Sequence, residues 1–501
     1  MDRRAFFKST GAAFAASALP LGALQSAAVH AQGISADKLE FDPTLTPLRG
    51  FHGQDVSCER AQIEGRIPDD LRGTFYRNGP GLFERGGMRY EHWFDGDGYV
   101  NAWKFTDQGV AHQARFVQTR KFIAEQQANV FLVPAFGTAI TAKMPVRSND
   151  DVNTANTSVV RLGDRLLAMW EGGSATALDP ETLETRGLVT WAPELKSMPF
   201  SAHPKIEADG TFWNFGTFLG KMVLYHISAS GTLLRHAVFD APSGGMVHDF
   251  AVSQKHIVFV MPPIGIDIKA LRDGKGIGQA MTWDANTSTK VLVVEKADFS
   301  RRRILELPAH MVFHFGNAWE ENNIIRVDYV RSQNLSVFDE WMRKGMRGER
   351  TPSAQSHPAF LRIDLNRGRA ELTHRNENVE FPRVDPRVVA KRNRSIFYPF
   401  AENQKDNSLN SVMRLDVDTG KTDRFSFGAS ALVEEHVFVP KRGSQREGEG
   451  YLIGVGFDLK RQQTFGTVFD GSNLAAGPMA IIRLPYWVPT CFHGNFHASN
   501  A

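Results

Sequence analysis

Six segments of this chain repeat one pattern: a short apolar or alternating run, a tight turn rich in Asp, Asn, Gly or Thr, then a second run. They span residues 100–109, 175–183, 223–231, 281–287, 361–368 and 412–420. Asp and Gly supply the backbone freedom of hairpin turns, and alternating flanks suit strands with one buried face. Helical periodicity is scarce; 335–344 and 267–272 are the best short candidates. An all-β chain of 501 residues must close its sheet edges, and radial repetition does so without long exposed edges. Over the 470 residues from 32 to 501, seven blades would average about 67 residues each, above the usual ~40–50, so long loops are required. The expectation is therefore an all-β, seven-bladed β-propeller with long loops and short helices capping one face, over residues 32–501 as one domain.

The first 31 residues read as an address. Arg3-Arg4 followed by Phe6, Phe7 and Lys8 precede an Ala-rich, weakly apolar stretch, and Val29-His30-Ala31 fits a cleavage site before Gln32. This is the layout of a twin-arginine export signal. Pro20 and the low hydrophobicity argue against a spanning helix. The expectation is recognition by the twin-arginine export machinery, cleavage after Ala31 and a periplasmic mature protein. The net charge of +3, partly from Arg3, Arg4 and Lys8, points to no nucleic-acid partner. The only cysteines, Cys58 and Cys491, cannot form a disulfide scaffold or a Cys-x-x-Cys zinc site; they are expected to stay unpaired.

Four of the sixteen histidines stand among apolar residues, where ring nitrogens need partners. They are His203 in Phe-Ser-Ala-His-Pro-Lys, His248 in Gly-Met-Val-His-Asp-Phe, His314 in Met-Val-Phe-His-Phe-Gly-Asn, and His493 in Cys-Phe-His-Gly-Asn-Phe. Their wide spacing excludes a single helical site and suits blades that each send one side chain to a central axis. His310 and His314 are four apart and could form a two-His face on a helix, but Pro308 and the apolar run favour a strand. His497 lies in a polar tail expected to fray. His92 precedes an acidic turn with too few spaced oxygens for a calcium loop.

The stretches Gly73-Thr-Phe-Tyr-Arg-Asn-Gly-Pro80 and His92-Trp-Phe-Asp-Gly-Asp-Gly98, the four histidine contexts in order, Leu484-Pro485 and Phe492-His-Gly494 together resemble the carotenoid cleavage oxygenases over residues 40–497. The resemblance implies a non-haem Fe(2+) held by His203, His248, His314 and His493, with O2 as co-substrate. It also implies that Glu171, Glu380 and Glu435 orient His248, His314 and His493, leaving His203 without a carboxylate. A metal-bound imidazole needs such an acceptor for its other N–H. Glu434 is a neighbouring rival for Glu435, which stands five before Pro440 as in the family. Nitrogen ligation by itself admits Fe, Zn or Cu.

The implied reaction is oxidative cleavage of one C=C bond in a carotenoid or apocarotenoid to carbonyl products, by a dioxygenase with no catalytic residue beyond the metal site. A stilbene- or phenylpropanoid-cleaving enzyme on the same scaffold, and an inactive periplasmic propeller that binds ligands, are the competing readings. An apolar small-molecule substrate needs a greasy passage. Trp170, Phe131 and Phe136 are expected to line it, with 130–144 at its mouth or touching a membrane peripherally. Trp170 stands where stilbene-cleaving relatives carry Lys, which favours a polyene over a phenolate.

Overall fold

The computed structural model describes residues 34–36, 39–218, 220–242, 245–350, 355–403 and 408–499. The export signal expected over residues 1–31 lies outside the described residues. Seven radial sheets are present. In chain order, blade 2 is Ser158–Leu162, Arg165–Met169, Thr176–Leu178 and Thr185–Leu188; blade 3 is Lys205–Ile206, Phe212–Phe218, Lys221–Ile227 and Leu233–Asp240. Blade 4 is Ala251–Val252, His256–Met261, Thr289–Glu295 and Arg302–Leu307; blade 5 is Met311–Glu321, Ile324–Ser332, Ser356–Asp364 and Arg369–His374. Blade 6 is Ser395–Phe400, Ser411–Asp416 and Thr422–Ser426, extended inward by bridges from Val379 to Phe400 and from Arg383 to Phe397.

Blades 1 and 7 close the ring. Blade 1 orders Val56–Cys58, Gly109–Phe116, Asp97–Thr106, Gly73–Leu82 and His493–Ala498, so the C-terminal strand pairs beside N-terminal ones. Blade 7 orders Ala431–Pro440, Gly450–Asp458, Gln463–Asp470, Ala480–Arg483 and the early strand Gln62–Gly65. This exchange removes two free edges, the recurrent liability of open sheets. Gly494 permits it: a Cβ there would collide with the Tyr76 carbonyl oxygen of the neighbouring strand.

The hydrophobic core is divided accordingly. Seven clusters each fill the gap between two neighbouring blades; Val160, Leu167, Phe212 and Tyr225 join blades 2 and 3, and Val258, Val291, Val327 and Leu361 join blades 4 and 5. Each blade therefore buries both faces of its inner strands, which read as nearly continuous apolar runs, while outer strands such as Arg302–Leu307 and Arg369–His374 stay largely exposed. An eighth cluster, including Tyr90, Trp93, Phe131, Phe313, Phe338 and Met346, caps one face of the ring. Two short helical elements there, Val337–Met342 and Arg343–Met346, agree with the helical periodicity over 335–344, as Ile268–Arg272 does with that over 267–272.

Five of the six expected hairpins form. The sixth does not: Met281–Trp283 pairs with Ile264–Ile266 in a small separate sheet, while Thr289–Glu295 belongs to blade 4. The turn chemistry is local, but the partner strand is chosen by tertiary packing. The tail expected to fray is ordered, with His497 opposite Thr74 in blade 1; backbone pairing outweighs its polar composition. The helix Arg120–Ala128 was not foreseen. Thr119 caps its N-terminus by accepting from the Phe122 N–H, and Asn129 ends it in the left-handed region. Its buried Lys121 donates to Asp97 at 2.7 Å and to Glu125 at 3.0 Å, polar groups that hide its apolar face from a periodicity reading.

Candidate metal centre and substrate cavity

The innermost segment of each contributing blade carries a site residue. His203 and His248 lie in the short segments leading into the edge strands of blades 3 and 4, which begin at Lys205 and Ala251, His314 lies within the edge strand of blade 5, and His493 opens the edge strand of blade 1. All four are buried, and one ring nitrogen of each falls within 4.8 Å of the others. His203 Nε2 is 2.9 Å from His248 Nε2, which is 3.3 Å from His314 Nε2.

The opposite ring nitrogens explain the convergence. His248 Nδ1 is 2.8 Å from Glu171, His314 Nδ1 is 2.6 Å from Glu380, and His493 Nδ1 is 2.9 Å from Glu435. A carboxylate accepts the Nδ1 proton and leaves the Nε2 lone pair facing inward. Lone pairs about 3 Å apart repel unless a cation lies among them, so this donor set fits a metal ion whose imidazole bonds run near 2.1 Å. Burial, reinforced by the neighbouring imidazoles, holds His203 well below the usual histidine range, and burial lowers His493 to about 3. Neutral imidazole is the ligating form. At His248 burial also pushes downward, but the Glu171 charge and hydrogen bond outweigh it. Among the described residues no carboxylate bonds to His203, matching the expected three-to-four ratio.

Sequence reasoning missed the groups that hold the carboxylates. Fully buried Arg77 donates to Glu435 at 2.7 Å and to Glu434 at 2.9 Å, and Arg383 donates to Glu435 at 2.8 Å. Burial would raise the Glu435 pKa, but Arg383, His493 and Arg77 together hold it well below the carboxylate range. Glu434 bonds to Arg77 and not to a ligand histidine, which settles the rivalry with Glu435. Asp249, beside His248, accepts from Lys205 Nζ at 2.8 Å and from the Phe315 N–H at 2.8 Å. It thereby ties together the segments bearing His203, His248 and His314. The signal for Arg77 was present, since a lone Arg in a strand of small and apolar residues needs a buried anion.

His310 takes no part in the cluster. It contacts the Tyr329 hydroxyl at 2.9 Å and the Pro308 carbonyl at 2.7 Å, and precedes a strand rather than a helix. The acidic turn after His92 serves structure: Asp95 accepts from the Gly137 N–H and the Thr138 hydroxyl. Cys58 and Cys491 are free, as expected.

Two cavities meet at the histidines. One, of about 220 Å³, is lined by Trp93, Phe94, Phe136, Trp170, Phe313 and Phe492 together with His248, His314 and His493. The other, of about 500 Å³, has a mixed lining, with Lys205, Asp249, Asn317 and Arg383 as well as apolar residues such as Ile206 and Phe315 beside His203, His314 and His493. Trp170 and Phe136 thus line the apolar cavity as expected. Phe131 does not. Its ring stacks on Tyr90 at a centroid distance of 3.9 Å within the cap, because Glu125 accepts from the Leu132 and Val133 N–H groups and folds the segment inward. Residues 130–136 are therefore buried or half-buried rather than an exposed patch. Exposed apolar side chains stand on the short helices Ile268–Arg272 and Ile277–Ala280, namely Ile268 and Ile277, and the second helix packs against Phe136.

Comparison with known proteins agrees with this architecture. The family model for RPE65, retinal pigment epithelial membrane protein, matches residues 51–498. Apocarotenoid-15,15'-oxygenase from Synechocystis is 29% identical over 472 residues, covering 90% of this chain and 95% of that protein. Lignostilbene-alpha,beta-dioxygenase isozyme III from Sphingomonas paucimobilis is 28% identical, covering 90% and 95%. The crystal structure of cobalt-substituted Synechocystis ACO superposes with a TM-score of 0.83 at 27% identity, covering 92% of this chain and all of that one. With its seven blades and its histidine-lined axis, the chain belongs to the RPE65 and carotenoid cleavage oxygenase family.

Proposed function

We propose that this protein is an Fe(2+)-dependent dioxygenase that cleaves one C=C bond of a conjugated, apolar alkene into two carbonyl fragments, with a carotenoid or apocarotenoid as substrate. The observation that carries the reading is the convergence of four buried imidazole nitrogens on the wall of an aromatic cavity. When bound, ferrous ion supplies the centre at which O2 reacts with the alkene. Both oxygen atoms end in the two carbonyls, so no external reductant is required.

The chain's own residues do the rest. His203, His248, His314 and His493 hold the metal, and Glu171, Glu380 and Glu435 fix three of the rings while offsetting its charge. Trp93, Phe94, Phe313 and Phe492 exclude water and press on the flat π-system of a polyene. Trp170 adds a broad apolar face and an indole N–H rather than a cation, which supports a polyene over a phenolate. Ile268 and Ile277, flanked by Lys269, Arg272 and Lys275, support peripheral contact with a membrane from which such a substrate would be drawn. The test is oxygen consumption by iron-loaded protein with a panel of polyenes and stilbenes, with product masses. Absence of O2-dependent scission across the panel would reject the reading.

Residues 1–31 support export by the twin-arginine route to the periplasm. Replacing Arg3 and Arg4 together by Lys should leave uncleaved precursor in the cytoplasm. Mature periplasmic protein from that double variant, seen on fractionation, would refute it.

A further inference from the structure

The strand Ala431–Pro440 carries a β-bulge beside the metal centre. Val433 pairs with Gly456, but the next paired residue, His436, lies opposite Gly454. Glu434 and Glu435 therefore share the single position of Val455. Adjacent residues of a regular strand point to opposite faces, and a bulge re-aims one of them. Here both carboxylates reach the same guanidinium: Arg77 donates through one nitrogen to Glu435 and through the other to Glu434. Glu435 goes on to His493, and its side chain is only 2% exposed. Glu434 turns into the wall of the apolar cavity, where its side chain is 10% exposed.

Among the described residues, four carboxylates line that cavity. Glu349 is exposed at its rim. Glu171 and Glu380 are engaged by His248 and His314. The Glu434 carboxylate bonds to no histidine among the described residues; only its backbone carbonyl meets one, His436 Nδ1 at 2.9 Å. Glu434 Oε2 takes the Arg77 N–H at 2.9 Å. A carboxylate has about four acceptor sites, so hydrogen-bonding capacity remains. A charged acceptor is costly to bury against an apolar ligand and is favourable only where the ligand brings a donor.

We infer that Glu434 is a specificity determinant that accepts a hydrogen bond from a hydroxyl on the substrate, so that the preferred alkene is a hydroxylated one. The inference rests on the alkene-cleaving reading above and narrows its substrate class. Arg77 holds the acceptor in place, and its second bond to Glu435 couples substrate recognition to the same guanidinium that steadies His493. The hydroxyl has two chemical sources, a terpenoid ring alcohol at the end of a polyene or a phenol on a stilbene.

The experiment uses two matched pairs: an apocarotenal with and without a ring hydroxyl, and 4-hydroxystilbene with stilbene. The ratio of kcat/KM within each pair is measured for iron-loaded wild type, Glu434→Leu and Glu434→Gln. Wild type should prefer the hydroxylated member of one pair by about 10- to 100-fold, the range set by a hydrogen bond to a charged acceptor. The pair that shows it identifies the source. Glu434→Leu should bring that ratio to within about twofold of unity, and Glu434→Gln, a neutral acceptor, should fall between. Equal ratios in wild type and Glu434→Leu for both pairs would overturn the inference. If the leucine variant does not fold, an unchanged ratio in Glu434→Gln overturns it. If wild type cleaves neither pair, the cleavage reading fails by itself. The subsite is then decided by dissociation constants of the same pairs on cobalt-loaded protein, read by tryptophan quenching. A hydroxyl-dependent affinity lost in the Glu434 variants sustains it, and none in wild type overturns it.

Discussion

The two cavities that meet at the histidine cluster differ in how much polar and charged surface they present. On one side Trp93, Phe94, Phe136, Trp170, Phe313 and Phe492 offer apolar faces. On the other, Lys205, Asp249, Asn317 and Arg383 make a charged and hydrogen-bonding wall. The histidines are divided between them: His248 faces the apolar side, His203 the polar side, and His314 and His493 border both. The contrast teaches a division of labour. Under the proposed cleavage function the apolar side would select and dehydrate the reactant, while the bonds of Asp249 to Lys205 and to the Phe315 N–H hold the histidine-bearing segments together. Neither could do the other's task, because charged groups that stiffen a backbone would repel a greasy substrate, and aromatic rings cannot satisfy buried N–H groups.

The partition itself is the easiest thing to break. Replacing His203, His248, His314 or His493 singly by Ala should remove bound metal and lower turnover by more than about 100-fold, beyond the ~10–100-fold loss typical of orienting carboxylates. Glu380→Gln should fall within that smaller range. His310→Ala, outside the cluster, should load metal normally; metal analysis decides. Full iron occupancy in His314→Ala would dissolve the comparison altogether.

On the polar side, Lys205→Met should lower stability by about 3 kcal/mol, because it leaves the buried Asp249 carboxylate without its cation. Urea denaturation measures it. A change below about 0.5 kcal/mol, the scale of ordinary surface substitutions, would show that the polar wall does not support the ligand strands. On the apolar side, Trp170→Ala should reduce kcat/KM for an apocarotenal by about 10-fold, the scale of lost apolar contact, with little change in melting temperature. A hydroxystilbene preference that survives the substitution would reject the role given to this ring.

A buried polar group away from both cavities sharpens the comparison further. Burial lowers His112 to about 3, where the Tyr486 hydroxyl and Asn101 meet its ring. The unfolded chain protonates this histidine near pH 6.5 and the folded chain does not. Its contribution is therefore complete above pH 6.5 and is lost as pH falls toward 3. His112→Gln should flatten the stability–pH slope between pH 6 and 4 by about one proton. An unchanged slope in denaturation series at stepped pH would refute the assignment.

Much of the molecule was legible in the residue order. Hairpin turns announce themselves because turn chemistry is local, and five of six were correct. The sixth failed because residues 281–287 say nothing about which sheet takes each arm. The four histidines and three glutamates were readable through their flanking motifs, and the structure pairs each glutamate with the histidine expected. The network behind them was not. Arg77 and Glu435 are 358 residues apart, and no periodicity links them. Phe131 and Phe136 share one apolar run, yet only Phe136 lines the cavity, because the fold of the loop decides which ring turns inward.

By itself, then, the sequence determined what depends on neighbours along the chain: strand and turn propensity, apolar runs that must be buried on both faces, and imidazoles that cannot stand unpaired among them. Only the tertiary structure decided what depends on ring closure. Pairing of the C-terminal strand with Gly73–Leu82 brings His493 to the axis, and around the bulge at Glu434 and Glu435 one carboxylate meets the histidine cluster and the other lines the apolar cavity. The physical reason is that a one-residue shift in strand register reverses the facing of every later side chain. That register is set by contacts between strands far apart in sequence.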